Sequence, residues 1–203
     1  KIIKYKERNK LVKKITFIAS LILLFTSTLS AGEFSTTGMK LGLNYSKFIG
    51  KDIPGKGVSL IPGFSLGGFL TYKINSRFSI QPEIFITTKG SNINTVGDIN
   101  LHNIFIYFEM PVLVKITFPT IKGMKPNIFY GPAIDIKCLA INDTGIPDDI
   151  RGIDLGLVLG AGIEFWKISV DIRYNRGLLN FDKSADDINL KNSTISFIAG
   201  YSF

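Results

Sequence analysis

A chain of 203 residues with 45% hydrophobic and 20% charged side chains is too apolar to stay disordered and has room for one ordinary domain. Its formal net charge of +8 invites a nucleic-acid reading, but Lys1, Lys4, Lys6, Arg8, Lys10, Lys13 and Lys14 against Glu7 hold six of those charges in the first fourteen residues. The remaining +2 argues against a nucleic-acid partner, and a lone cysteine, Cys138, excludes an internal disulfide and a thiolate zinc cluster.

The basic start runs into an uncharged apolar stretch from Ile15 to Leu29 and then into the small residues Ser30, Ala31 and Gly32. This order is that of a secretory signal peptide, expected over residues 1–31 with cleavage after Ser30 or Ala31. The apolar stretch is short for a membrane anchor, and no cysteine follows it to carry a lipid. No later segment holds eighteen consecutive apolar residues, so an exported chain of this hydrophobicity is expected to span a membrane by strands or not at all.

Over residues 32–203 the dominant pattern is period-two alternation. Eight runs carry it: Met39 to Phe48, Gly63 to Lys73, Phe78 to Lys89, Ile104 to Phe118, Asn127 to Lys137, Asp154 to Phe165, Ile168 to Gly177 and Ser193 to Phe203. Most hold about ten or eleven residues, the length a tilted strand needs to cross a bilayer. The connections alternate strictly. Ile49 to Pro62, Gly90 to Asn103, Cys138 to Ile153 and Leu178 to Asn192 are long; Ile74 to Arg77, Pro119 to Pro126 and Trp166 to Lys167 are short. That alternation predicts an all-β fold, an eight-stranded antiparallel up-and-down transmembrane β-barrel, in the bacterial outer membrane. Both termini and the short turns are expected in the periplasm, with four loops outside.

The two phases of each strand show which face is greasy. In the fourth run Ile104, Ile106, Phe108, Met110, Val112, Val114, Ile116 and Phe118 alternate with Phe105, Tyr107, Glu109, Pro111, Leu113, Lys115 and Thr117. In the sixth, Leu155, Leu157, Leu159, Ala161, Ile163 and Phe165 alternate with Asp154, Gly156, Val158, Gly160, Gly162 and Glu164. An uninterrupted apolar face suits lipid, where an Arg or Lys at mid-membrane costs about 2 to 4 kcal/mol. The other face then lines the lumen, where Glu83, Glu109, Lys115, Asp135, Glu164, Asp171 and Arg173 are expected to pair with one another in a structural network that plugs the barrel.

Aromatic girdles are expected from Tyr45, Phe64, Tyr72, Phe78, Phe118 and Phe165 near strand ends. The last run places Phe197, Ala199, Tyr201 and Phe203 on one face, and its aromatic final residue resembles the C-terminal signal read by the barrel-insertion machinery. Pro82, Pro111 and Pro132 fall inside strands of a barrel that has no edge to excuse a missing N–H, so β-bulges are expected there.

These residues resemble the outer-membrane β-barrel family often called PorT-like. The resemblance lies in Gly42-x-Asn44-x-Ser46, Pro62-Gly63-Phe64 with Gly67, Gln81-Pro82-Glu83, Lys89-Gly90 and Glu109-x-Pro111-x-Leu113-x-Lys115. It continues through Gly131-Pro132, Gly160-x-Gly162, Asp171-x-Arg173-Tyr174 with Gly177-Leu178, and Gly200-Tyr201-x-Phe203. The resemblance implies fold and location and brings no catalytic residues with it.

Some eight-stranded membrane barrels modify lipids, which requires a nucleophile activated by histidine. The only histidine, His102, sits at the foot of the second long connection with no serine at a recognisable spacing, and Cys138 has no histidine near it in sequence. Asp143, Asp148 and Asp149 match no calcium-loop spacing. The expectation is therefore a non-enzymatic structural or interaction protein with no cofactor and no metal. Its partners are outer-membrane lipid, the insertion machinery and an envelope or extracellular protein at the loops. A lipid-modifying enzyme and a narrow channel or transport accessory are the alternatives.

Overall fold

Alternating side chains are satisfied when every strand shows one face to one environment, and a sheet that closes on itself does this without leaving an edge. The structure, a computed structural model, describes residues 36–50, 58–94, 100–142, 152–178 and 190–203. The segment expected as a signal peptide, and Asp143, Asp148 and Asp149, lie outside the described residues. Among the described residues nine strands run in chain order: β1 Thr36–Gly50, β2 Val58–Ser59, β3 Ile61–Lys73, β4 Phe78–Asn94, β5 Asn100–Thr117, β6 Met124–Asn142, β7 Ile153–Phe165, β8 Ile168–Gly177 and β9 Leu190–Ser202. The two-residue β2 pairs with the far end of β4. The other eight form a closed antiparallel barrel, each paired with its neighbours in sequence and β1 closing against β9 from Gly38 opposite Ser202 to Gly50 opposite Leu190.

All eight expected runs are strands, but several strands outrun them. β4 and β5 stay paired to Asn94 opposite Asn100, so the Gly90 to Asn103 connection narrows to five residues between strand ends, and His102 stands within β5 opposite Asn92. β6 likewise continues through Cys138 to Asn142. Backbone ladders need no apolar side chains, so pairing persists past the point where alternation fades.

The short connections are set by local chemistry. Asn75 Oδ1 accepts hydrogen bonds from the backbone N–H of Arg77 and Phe78 at 2.9 and 2.8 Å, fixing the turn between β3 and β4. Lys122 and Gly123 both have positive φ, 50° and 82°, inside reciprocal hydrogen bonds between Ile121 and Met124. That is a type I′ arrangement, whose twist matches the flanking strands.

The prolines do not cause bulges. Pairing passes from Phe69 opposite Glu83 to Tyr72 opposite Ile80 beside Pro82 in unchanged register. It does the same between β4 and β5 beside Pro111, and between β5 and β6 beside Pro132. Each proline drops bridges from one ladder and stays paired on its other side, Pro82 opposite Val112, Pro111 opposite Ala133 and Pro132 opposite Leu157. The one register shift in the β5–β6 ladder lies where Ile106 opposite Leu139 gives way to Tyr107 opposite Lys137, which makes Cys138 the extra residue. Cys138 is therefore a bulge residue within β6, four residues before its end at Asn142, with Sγ 3.6 Å from the Ile136 carbonyl.

Candidate functional site

The inward phase of β1 carries Lys40, Asn44 and Ser46, that of β4 carries Gln81, Glu83, Thr87 and Lys89, and that of β8 carries Asp171, Arg173 and Asn175, all buried. The alternate phase, including Leu41, Leu43, Ile86, Leu159, Ile172 and Phe197, is exposed on the outside, so the exterior is the greasy surface. The lumen is not purely polar. Phe69, Phe85, Phe105, Phe129 and Ile198 also point inward, and Leu113, Phe129, Ala133 and Val158 form an apolar patch there.

At the middle of the lumen, Lys40 Nζ lies 2.8 Å from both Glu83 Oε1 and Asp171 Oδ2. Arg173 Nη2 reaches Asp171 Oδ2 at 2.8 Å and Glu83 Oε1 at 3.0 Å, while its Nη1 pairs with Glu83 Oε2. Two cations and two anions thus neutralise one another with side chains no more than 5% exposed. Isolated charges at that depth would carry a large desolvation cost, which a hydrogen-bonded quartet offsets. Toward the loop end, Lys89 bridges Glu109 and Asp135 at 2.7 and 2.6 Å, and Asn175 donates to Glu109. Toward the turn end, Lys115 pairs with Glu164, and Gln81 links the two levels by donating to Glu83 and accepting from Lys115.

The seven charged residues named from sequence therefore all line the lumen, at three levels: Glu83 with Asp171 and Arg173, Glu109 with Asp135, and Lys115 with Glu164. Two cations that complete the groups, Lys40 and Lys89, were missed. Both stand on the polar phase of their own strands, which is the signal that finds them.

Aromatic rings flank the cations. Lys40 Nζ lies 5.0 Å from the Phe69 ring centre, and the Arg173 guanidinium lies 5.6 and 5.0 Å from those of Phe85 and Phe129. Each ring stands directly opposite a glycine: Phe69 faces Gly38, Phe85 faces Gly67 and Phe129 faces Gly160. A Cβ at Gly38 or Gly160 would come within 2.6 Å of the facing ring, so the missing side chain is the room that the ring occupies. Cation, ring and glycine form one repeated device that fills the lumen.

At the C-terminal end, Phe197, Tyr201 and Phe203 are exposed on the outer face, with the Tyr201 and Phe203 rings 6.1 Å apart. Tyr45, Phe64, Tyr72, Phe78, Phe118 and Phe165 are exposed near strand ends. Among the described residues, no three His, Cys, Asp or Glu side chains stand together as a metal site.

A closed eight-stranded antiparallel barrel with an apolar exterior band, its outward charges such as Lys47 and Arg176 near strand ends and its buried charges inside, is a transmembrane β-barrel. Residues 33–183 match the outer membrane protein β-barrel domain family, and the chain belongs to that family of bacterial outer-membrane proteins. Among solved structures it is similar to the Neisserial surface protein A, with 14% identity over 82% of this chain and 97% of that one, TM-score 0.51. It is also similar to OprG of Pseudomonas aeruginosa, with 13% identity over 85% and 98% and TM-score 0.47. A third is the attachment invasion locus protein Ail of Yersinia pestis, with 16% identity over 83% and 98% and TM-score 0.43. No curated protein matches the sequence.

Proposed function

We propose that this barrel is a non-enzymatic structural or interaction protein that presents its loop end to an extracellular or envelope partner, with both termini and the short turns in the periplasm. The observation that carries this reading is the mid-lumen quartet of Lys40, Glu83, Asp171 and Arg173, whose chemistry-bearing groups are committed to one another. Such an interior anchors a wall rather than conducting or reacting. The paired extension of β4 and β5 to Asn94 and Asn100 supports an interaction role, since it offers a partner a braced hairpin. The finer PorT-like reading rests on the motifs quoted above. Phe197 and Tyr201 on the outer face of β9, with Phe203 just beyond its end, serve in this reading as the insertion signal.

Gel mobility of the detergent-extracted outer-membrane fraction tests the barrel: a shift on boiling is expected, and a soluble protein with no shift overturns it. Planar-bilayer recording tests the plug. No discrete openings are expected, and steady unitary currents from the unmodified protein would make it a channel. For the catalytic alternative, lipid analysis of cells carrying His102→Ala is expected to match that of cells with the unmodified protein.

A further inference from the structure

At the turn end the barrel opens into a cavity of about 460 Å³, within the range of small-ligand sites. Lys73, Arg77, Lys115 and Lys125 line it, and the only acidic side chain among its lining residues is Glu164. These groups come from four strand ends and one turn, and register gathers them. Lys73 stands opposite Ser79, Ser79 opposite Lys115, and Lys125 opposite Glu164.

Glu164 is taken by Lys115. Among the described residues no carboxylate pairs with Lys73, Arg77 or Lys125, so three cations gather around one concave space where their fields add. The charge balance differs from that of the mid-lumen quartet, where two cations meet two anions. Phe69 and Phe118 add apolar surface beside the cations, and Trp166, 95% exposed, stands at the rim, where an organic group carried with the anion would pass it.

We propose that this vestibule binds phosphate-bearing anions. A phosphate supplies more than one negative charge in a compact group, and the Arg77 guanidinium can take two of its oxygens in a fork. The phosphate can belong to a lipid headgroup or to a soluble molecule. The proposal goes beyond the interaction reading above and rests on the opposite end of the barrel.

The chain's single tryptophan, Trp166, lines the cavity and reports on it. The full chain, folded in zwitterionic detergent at low salt, is titrated with inorganic pyrophosphate while its fluorescence and the heat of binding are followed. A saturable change is expected, and the double variant Arg77→Gln with Lys125→Gln should weaken affinity by roughly ten-fold or more. Its boiling-dependent gel shift shows that the barrel is intact; should the double variant fail to fold, Lys73→Gln is read in the same way. Absence of saturable binding to the unmodified protein, or equal affinity in a folded variant, overturns the proposal. Repeating the titration in phosphatidylcholine vesicles with and without phosphatidylglycerol separates the sources. Competition by the anionic lipid assigns a headgroup, and an unchanged pyrophosphate affinity assigns a soluble anion.

Discussion

Arg173 holds two carboxylates at once, and few side chains could replace it. Lysine offers no planar fork, and an apolar residue leaves Glu83 and Asp171 to share Lys40 alone. Arg173→Met is therefore expected to cost about 3 to 5 kcal/mol, measured by urea unfolding in lipid vesicles. Adding Glu83→Gln to that variant leaves the balanced Lys40–Asp171 pair and should recover part of the loss. Gly160→Ala meets the Phe129 ring at 2.4 Å and the Ile172 carbonyl oxygen at 2.6 Å, and the backbone atom cannot move aside. About 1 to 3 kcal/mol of destabilisation is expected in the same assay. At this scale the sequence was legible through phase: an inward charge in one strand implies inward partners in others. The choice of partner was hidden, because Lys40 meets Asp171 across 131 positions of chain. Phase also could not show that Phe129 would stand opposite Gly160, since that depends on the register fixed by the turns.

Strand existence was readable and strand length was not. Alternation marks residues whose two faces meet lipid and lumen, and it fades where a strand leaves the bilayer. The ladder does not fade with it, as the pairing of Ser91 opposite Asn103 shows. The prolines were misleading for a related reason. A missing N–H removes bridges from one side only, and the other side holds register, whereas the bulge fell at Cys138, which carries no sequence mark of one. The lipid-facing phase makes a prediction at this scale. Leu159 is 62% exposed on the outer face of β7, so Leu159→Arg should cost about 2 to 4 kcal/mol in vesicle unfolding, several times the effect of Leu159→Ala. A similar cost for both substitutions would place that face in contact with something other than lipid.

Across the whole molecule, lumen and wall depend on each other. The quartet draws on β1, β4 and β8, and the first barrel strand made is hydrogen-bonded to the last. Lys40 is synthesised early and Glu83 follows, but Asp171 and Arg173 arrive only with the penultimate strand. A growing sheet that stops at β7 thus carries a lysine and a glutamate deprived of half their partners, facing an open groove. In such a sheet Lys40 and Glu83 keep only each other, and the hydrogen bonds that Asp171 and Arg173 later supply go to water or stay unmade. Because β8 precedes β9 and β9 makes the seam with β1, the wall closes around a set of four charges whose last two members arrive one strand earlier.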